Sequence, residues 1–221
     1  MPRDLPYPAA RPPYPVQLDG ELDPELSRWK WLVKWFLAIP HLVVLVFLWL
    51  GFVLTSIAAL VMIVVTGRYP RPLFDFNVGV MRWTWRVGFY AFNAIGTDRY
   101  PPFSLAERPD YPARLSVAYP ERLNRGLALV KWWLLAIPHY VLVAVFIGGI
   151  LVPDASPIPL LASPGSLVSI LALFAGVALL FTARYPSGVF SFVVGLNRWA
   201  FRTVAYAALM RDEYPPFRLE R

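Results

Sequence analysis

The chain has 221 residues, of which 57% are hydrophobic and only 16% are charged, and its net charge at pH 7 is +7. Soluble domains carry roughly 25% charged residues, so this composition indicates a membrane protein. Cysteine is absent, which excludes disulfides, thiolate catalysis and cysteine-bound metal, haem or iron–sulfur groups. We expect the positive charge to face anionic lipid headgroups rather than nucleic acid.

The N-terminal residues 1–13 form a proline-rich, polar tail. This tail lacks the basic start and the apolar centre of a cleavable signal peptide. The first hydrophobic segment is therefore predicted to act as its own insertion signal.

Two long apolar runs follow the tail. Residues 35–67 contain no Lys, Arg, Asp or Glu, and residues 132–183 contain only Asp154. Such runs are typical of membrane spans, because about 20 helical residues cross a hydrocarbon core of about 30 Å. In the second run a Pro- and Ser-rich break separates two predicted transmembrane helices, at about residues 126–151 and 165–183.

The first run is too long for one untilted span and short for two. Basic residues flank it on both sides, with Lys34 before it and Arg68 after it. Because basic residues favour the cytoplasmic side, we predict a hairpin over about residues 29–67 that turns near Gly51. This hairpin would return both basic flanks to the cytoplasm, with the long side chain of Lys34 reaching the membrane boundary.

Each membrane segment is followed by a stretch with helical periodicity, at about residues 71–96 and 187–210. Apolar residues in the first stretch recur at three- and four-residue steps, and its arginines stand one turn apart. A helix with one apolar stripe, paired arginines and abundant tryptophan is typical of the headgroup layer. We therefore predict an amphipathic interfacial helix after each hairpin.

The same motifs occur twice in the same order. "VKWFLAIPH" returns as "VKWWLLAIPH", "TGRYP" returns as "TARYP", and both halves close with "YPPF". We infer two tandem repeats, residues 14–105 and 111–221, joined by a linker at residues 106–110. Because each repeat has an even number of spans, a pseudo-twofold axis along the membrane normal is predicted, with both termini cytoplasmic. The short runs "VQL", "ARLSV", "FSL" and "FRL" predict a small cytoplasmic β-layer.

This order of motifs resembles a bacterial membrane family known as domain of unknown function 4389. The resemblance covers nearly the whole chain, once in each half. It implies a membrane protein, often built of tandem copies, with no assigned activity and no catalytic residues to carry over. The predicted fold class is an all-α integral membrane protein, multi-pass in the cell inner (plasma) membrane.

Conserved spacing between the repeats selects the candidate site residues. Six arginines are predicted to bind lipid headgroups, although generic attraction to an anionic leaflet explains them as well: Arg68, Arg82, Arg86, Arg184, Arg198 and Arg202. Four aromatic residues are predicted to anchor the chain at the interface: Tyr69, Trp83, Tyr185 and Trp199. Asp98 and Asp212, which precede the two "YPPF" motifs, are expected to cap a helix or to pair with neighbouring arginines.

His41 and His139 are the two histidines of the chain and occupy equivalent positions after Ile-Pro. They either face each other and ligate haem or another metal, or they satisfy backbone groups freed by the adjacent prolines. Since no carboxylate lies within a few residues to support a metal ligand, the second interpretation is favoured. No cofactor is predicted.

Sequence motifs of the common enzyme classes, such as a Walker loop, HExxH, GxSxG or a Rossmann fingerprint, are absent. We predict a non-enzymatic membrane scaffold or accessory subunit that binds anionic lipid. A homo-oligomer or a membrane-protein partner is expected, and nucleic acid is not. Two alternatives stay open: a small pseudo-symmetric transporter or channel, and a bis-His haem or metal redox subunit.

Overall fold

The computed structural model describes residues 14–148 and 158–220. The described part of the chain is predominantly helical and carries one small two-stranded sheet. The predicted tail at residues 1–13 lies outside it, as do residues 149–157, which include the end of the predicted helix at about 126–151.

The first repeat begins with strand β1 (Val16–Gly20) and continues into a helix that is broken at Ala38. The short helix α1 (Trp31–Leu37) precedes the break, and α2 (Ile39–Thr66) follows it as one uninterrupted helix of 28 residues. Pro40 lies in the first turn of α2, where its missing N–H costs no helical hydrogen bond.

The chain reverses direction after α2. Gly67 ends the helix with a φ of 73°, a left-handed conformation that glycine adopts without steric cost. The chain returns as α3 (Arg71–Val87), which a single π turn (Gly88–Phe92) extends. Helix α3 runs antiparallel to α2 along its length, so that Trp83 reaches His41 near the start of α2.

The second repeat has the same order of elements, but its long helix is divided. The elements are β2 (Ala113–Val117), α4 (Arg125–Val130), α5 (Ile137–Val143), α6 (Leu167–Thr182) and α7 (Ser187–Ala207), with π turns after α4 and α5. Helix α7 packs along both α6 and α5, as α3 packs along α2. Helices α5 and α6 thus follow each other along α7 and do not form a hairpin of their own.

The predicted turn near Gly51 is wrong. Gly51 lies inside α2 and packs against the ring of Phe76 in α3. The helix is continuous because its apolar sequence contains no proline after its first turn and only one glycine. The segment that runs back along α2 is α3, the helix that the sequence analysis placed in the headgroup layer.

The two strands pair antiparallel in a register that sets the equivalent residues Leu18 and Leu115 opposite each other. In the helices, the equivalent residues Trp85 and Phe201 also contact each other. Equivalent residues meet in this way on a twofold axis, so the repeats are related by a pseudo-twofold axis that passes from the helices to the sheet. The predicted strands "VQL" and "ARLSV" form this sheet, whereas "FSL" and "FRL" are irregular.

Three layers stack along this axis. Helices α3 and α7 form the middle layer and are largely buried. One face of α3 contacts α2 through Asn77, Trp83 and Thr84. The opposite face contacts the sheet through Arg82 and Trp85. The outer layer, on the side away from the sheet, consists of α1, α2, α4, α5 and α6.

The outer layer exposes large apolar side chains, which we call the apolar face. On α2 these residues follow the three- and four-residue steps of one helical stripe: Val43, Phe47, Leu50, Leu54, Ile57, Val61 and Val65. Helices α1, α4, α5 and α6 add further exposed Trp, Phe, Leu, Ile and Val side chains. Soluble monomers rarely expose continuous apolar patches of this kind.

Helix length and composition support fewer membrane crossings than the four predicted. Among the described residues α2 is long and apolar enough to cross a membrane, with a mean hydropathy of 2.6. The segments Arg125–Leu135 and Ile137–Gly148 meet at an angle of 43° and together meet the same criterion. Helix α6 is apolar but has only 16 residues.

Candidate functional site

Each repeat holds a buried lysine near the start of its long helical run. Lys34 is 2% exposed, and its Nζ lies 2.8 Å from Asp98 Oδ1 and donates to the carbonyl of Thr97 at 2.7 Å. Lys131 is fully buried and lies 2.7 Å from Asp212 Oδ1. A buried ammonium needs such a partner, because an unpaired charge is costly inside a protein.

The two aspartates are held ready for these lysines by backbone N–H groups. Ser27 N–H donates to Asp98 at 2.8 Å, and Asn124 N–H donates to Asp212 at 2.7 Å. Burial raises the pKa of Asp98, whereas the Lys34 ammonium and the Ser27 N–H lower it. Their combined effect is larger than that of burial, so the pKa of Asp98 lies below its ordinary range. The partner is therefore a lysine, not the arginine that the sequence analysis expected.

The sequence alone does not identify these lysines as partners, because the long side chain of Lys34 suits the predicted membrane boundary equally well. The signal was present in the repeated "VKW" motif, which preserves Lys34 and Lys131 at equivalent positions. Each ammonium also lies 5.4 Å from the ring centre of a tyrosine, Tyr90 in one repeat and Tyr206 in the other. A cation over an aromatic face is stabilised by the ring, which completes the enclosure of each lysine.

The two histidines make the same contacts in both repeats. Trp83 Nε1–H donates to His41 Nδ1 at 3.0 Å, and Trp199 Nε1–H donates to His139 Nδ1 at 3.0 Å. The imidazole of His41 stacks on Phe103 with ring centres 3.9 Å apart. His139 stacks on Phe217 at 4.5 Å. The "YPPF" motifs thus cover the two histidines.

The hydrogen bond from tryptophan to Nδ1 of each histidine bears on the bis-His hypothesis. A neutral imidazole that accepts at Nδ1 carries its proton on Nε2, so neither nitrogen of His41 or His139 offers a lone pair to a metal. The aromatic rings around each histidine belong to its own repeat. Within residues 14–148 and 158–220, no three His, Cys, Asp or Glu side chains are grouped to hold a metal ion. The predicted contact with backbone groups freed by the prolines is wrong, because each Nδ1 accepts from a tryptophan and neither Nε2 has a hydrogen-bond partner in the described part of the chain. The geometry favours a structural role in the protein interior, and the bis-His metal site stays an untested alternative.

Arg86 and Arg202 are the most deeply buried of the described arginines in the middle layer. Arg86 is 2% exposed, and its Nη2 donates to the carbonyls of Ser104 at 2.6 Å and Ala106 at 3.2 Å. Arg202 is 1% exposed and donates to the carbonyls of Arg218 and Glu220. Burial lowers the pKa of each guanidinium to about 10, so both stay charged at neutral pH. Each fastens the segment that ends its repeat, residues 100–106 or 214–220, which we call the closing segments.

Arg82 and Arg198, one helical turn before Arg86 and Arg202, link the repeats to each other. Arg82 Nε donates to the carbonyl of Leu115 at 2.9 Å, and Arg198 Nε donates to the carbonyl of Leu18 at 3.0 Å. Each arginine thus binds the strand of the other repeat. The carbonyls lie on the edges of a two-stranded sheet, where no other strand in the described part of the chain pairs with them.

A glycine precedes each arginine pair and lets the closing segment approach the helix. A Cβ added to Gly79 would stand 2.7 Å from Leu105 Cβ, and one added to Gly195 would stand 2.9 Å from Leu219 Cβ. Real Cβ contacts are not that short, so the position requires glycine. In each repeat the glycine and the second arginine, Arg86 or Arg202, therefore hold the closing segment against the helix, an arrangement that we call the clamp.

A family model described as a domain of unknown function, DUF4389, matches residues 28–104 and 160–218. The chain belongs to this family. The two matched segments are consistent with two copies of the DUF4389 unit, as the repeated motifs predict, and both include the clamp arginines. The search of curated proteins and the search of solved structures gave no match.

The two DUF4389 repeats place the remaining predicted site residues at two kinds of location. Arg68 and Arg184 are exposed, as the headgroup prediction requires. The four aromatic residues predicted as interfacial anchors are buried inside the protein instead: Tyr69, Trp83, Tyr185 and Trp199. Tyr185 O–H, for example, donates to the carbonyl of Ala94 at 2.7 Å.

The four arginines of α3 and α7 that were predicted to bind headgroups are Arg82, Arg86, Arg198 and Arg202. In the DUF4389 structure most of their donors are engaged by carbonyls of the protein. Of the six predicted arginines, Arg68 and Arg184 have the exposure that a lipid contact needs.

Proposed function

We propose that this DUF4389 protein is a non-enzymatic membrane scaffold, which lies with its outer helix layer in the bilayer and binds anionic lipid. The observation that carries the proposal is the apolar face, which turns side chains such as Phe47 and Phe181, 70% and 78% exposed, away from the protein. Charged residues are absent from this stretch between Trp35 and Gly67. Lipid is a suitable environment for such a face.

The layer order supports an orientation along the membrane rather than through it. The sheet packs on the middle layer level with His41 and Trp49 of α2, well inside the apolar run. If α2 crossed the bilayer, Asp19 and Arg114 on the strands would lie at the depth of the hydrocarbon, which is costly for charged groups. With α2 in the membrane plane, the apolar face meets lipid and the sheet meets water.

The basic residues support the cytoplasmic leaflet as the location. Lys30 and Arg28 lie at one end of the outer layer, and Arg68, Arg122 and Arg125 lie at the other. Basic residues close to a membrane favour its cytoplasmic side, where anionic lipids attract them. In this orientation both closing segments and the sheet are cytoplasmic, and the four predicted crossings are replaced by one embedded layer.

Depth measurements along α2 test this orientation. Because the chain has no cysteine, single cysteines can be placed without a background. Val43→Cys, Leu54→Cys and Val65→Cys lie on the exposed stripe and are 11 residues apart, or about 16 Å along the helix. Ser116→Cys on the exposed side of the sheet is the matched control. Each variant is labelled with a nitroxide in liposomes, and its exposure to oxygen and to a water-soluble nickel complex is measured.

We expect equal depth at the three α2 positions and a water-exposed label at Ser116→Cys. A label that is deepest at Leu54→Cys and shallow at the other two would show that α2 crosses the bilayer, which would overturn the in-plane orientation. Labels exposed to water at all three positions would overturn the membrane proposal itself.

The scaffold proposal includes association with a second copy or with a membrane-protein partner. Native mass spectrometry of protein in lipid nanodiscs measures both the mass of the assembly and the lipid that it retains. We expect a defined oligomer or complex with retained anionic lipid. A visible absorption band that is lost in His41→Ala or His139→Ala would instead favour the redox alternative.

A further inference from the structure

An open groove lies where the second half of α2 meets the end of α7. Its volume is about 420 Å³, which is within the range of small-molecule sites, roughly 300–1,000 Å³. Nearly all of its lining is apolar: Phe52, Val53, Ser56, Ile57, Leu60, Trp132, Val204, Ala207, Ala208 and Leu209. We call it the apolar groove.

The equivalent position in the other repeat is filled by the chain itself. Residues 149–166, which have no counterpart in the first repeat, separate α5 from α6, and their described part packs on the end of α3. Leu161 lies against Gly88, the equivalent of Val204. Asn93, the equivalent of Leu209, binds the backbone on both sides of Leu161, through the carbonyl of Leu160 at 2.8 Å and the N–H of Ala162 at 3.0 Å.

The comparison between the apolar groove at the end of α7 and the filled position at the end of α3 indicates which kind of molecule the groove binds. Because α2 is continuous, the first repeat has no such segment to cover the end of α7. Asn93, which holds a peptide backbone, is replaced there by Leu209, which offers no hydrogen bond. An occupant of the apolar groove therefore needs no backbone partner. An acyl chain meets this condition, whereas a peptide would bury unsatisfied N–H and C=O groups.

A second cavity, the basic cleft, lies at the end of α2. Its volume is about 420 Å³, and it is lined by Thr66, Gly67, Arg68, Arg122, Leu123 and Arg125. All three arginines are exposed. Among the described residues, no hydrogen bond or ion pair occupies their guanidinium groups. Three free guanidinium groups around one cavity suit a phosphate, which they bind through charge-assisted hydrogen bonds.

The two cavities lie on the same seam between α2 and α4. Along α2, Thr66 of the basic cleft is six residues from Leu60 of the apolar groove, or about 9 Å. Along the other wall, Arg125 is seven residues from Trp132, or about 10 Å. The two helices pack side by side over this stretch, with Leu123 N–H donating to the carbonyl of Gly67. One phospholipid is long enough to occupy both cavities.

We propose that this seam binds one anionic phospholipid, with its phosphate in the basic cleft and an acyl chain in the apolar groove. The inference rests on the proposed membrane function and adds a defined site to it. Arg68 comes from the first repeat, and Arg122 and Arg125 come from the second. The bound lipid would thus join the two repeats on the side where the described part of the chain supplies no covering segment.

Native mass spectrometry tests the site. Protein in nanodiscs of equal phosphatidylglycerol and phosphatidylcholine is released by collision, and the retained lipids are counted for each variant. Arg122→Gln with Arg125→Gln should lower retained phosphatidylglycerol about tenfold, since two charge-assisted contacts are lost. Arg28→Gln is the matched control, because Arg28 occupies the position of Arg125 in the other repeat, next to a groove that the chain fills.

Groove-filling substitutions test the acyl-chain half of the proposal. Ala208→Phe introduces the residue found at the equivalent Phe92, and Ile57→Trp fills the groove from the exposed side of α2. We expect both to lower phosphatidylglycerol retention to the level of the arginine variant, with unchanged thermal unfolding. Full retention in both groove variants would overturn the acyl-chain site.

The outcomes separate this proposal from the proposed function. Equal retention of phosphatidylglycerol in the arginine variant and in Arg28→Gln, together with α2 labels at bilayer depth, would overturn the site but leave the membrane scaffold. Loss of phosphatidylcholine to the same extent as phosphatidylglycerol would overturn the selectivity for an anionic headgroup. Labels in water would remove the basis of both.

Discussion

In the first repeat α2 runs for 28 residues without interruption, whereas in the second the same course is divided between α5 and α6 by additional residues. Around this difference the two repeats keep nearly the same contacts. The lysine–aspartate distances are 2.8 and 2.7 Å, and the tryptophan–histidine distances are both 3.0 Å. We infer that these contacts, which are the same in both repeats, stabilise the shared fold. The feature that differs, the open groove beside α2, is where we place binding.

The largest expected effect concerns the lysine–aspartate pairs. Asp98→Asn leaves the Lys34 ammonium buried without its counter-charge, and removing one partner of a buried pair costs about 3–5 kcal/mol. We expect this loss in the free energy of unfolding, measured by denaturant titration in detergent micelles. Asp212→Asn should have a similar but smaller effect, since the Asp212 side chain is 26% exposed against 12% for Asp98.

Asp75→Asn is the matched control for these variants. Its partner Arg71 is exposed, and such surface pairs contribute about 0–1 kcal/mol. If Asp75→Asn cost as much as Asp98→Asn, burial would not be the reason for the effect.

The pH dependence of the same pair has a definite sign. The pKa of Asp98 is lower in the folded protein than in the unfolded chain, where a free aspartate has a pKa of about 4. Its stabilisation is therefore present above the unfolded pKa and is lost as the pH falls through the folded pKa. We expect the stability difference between the natural protein and Asp98→Asn to be constant from about pH 5 to 7 and to shrink below about pH 4. A difference that grows in acid would contradict the ion pair.

The clamp arginines should rank second. Arg86→Ala leaves the carbonyls of Ser104 and Ala106 without a donor and should cost about 2–4 kcal/mol, and Arg202→Ala should cost a similar amount. Arg86→Lys should not restore stability, because lysine lacks the planar fork that reaches two carbonyls. The thermal unfolding of each variant measures these effects. Arg184→Ala is the control, because Arg184 is exposed. Arginines that serve lipid rather than the fold would change lipid retention and leave unfolding unchanged.

Much of this architecture is readable from the sequence. The motif order predicts two related repeats, and short alternating runs predict the strands that contain Leu18 and Leu115. Both features are local patterns or spacings, which is why the sequence carries them. The pairing of equivalent leucines is a consequence of twofold symmetry and follows once the strands meet.

The burial of α3 and α7 could not be predicted from the sequence. A stripe of Phe, Val, Met and Trp beside arginines satisfies a lipid headgroup layer and a protein interior equally well. The deciding fact is that the closing segments present free carbonyls to Arg86 and Arg202, and no local pattern shows where a distant backbone lies. Lys34 was misplaced for a related reason, since its long apolar stem fits both a membrane boundary and a buried pair.

The glycine positions are expected to give a smaller effect. Gly79→Ala places a methyl group against Leu105 and should cost about 1–3 kcal/mol, and Gly195→Ala should cost slightly less because its contacts are longer. Gly188→Ala is the control. Gly188 lies in α7, as Gly195 does, but nothing lies within 4 Å of a Cβ added to it. Removing that glycine should stabilise α7 by up to about 1 kcal/mol. Equal effects at the three positions would contradict the clamp.

The smallest expected effect concerns the histidines. Trp83→Phe keeps the aromatic contact but removes the N–H that donates to His41, and a single buried hydrogen bond contributes about 1 kcal/mol. Nitrogen NMR on labelled histidine reports the consequence directly: Nδ1 should lose its hydrogen bond in Trp83→Phe while His139 keeps its own. The reciprocal Trp199→Phe should change His139 alone. If either variant altered both histidines, the two imidazoles would share one site across the repeats, as the bis-His alternative requires, and the symmetric structural role would be wrong.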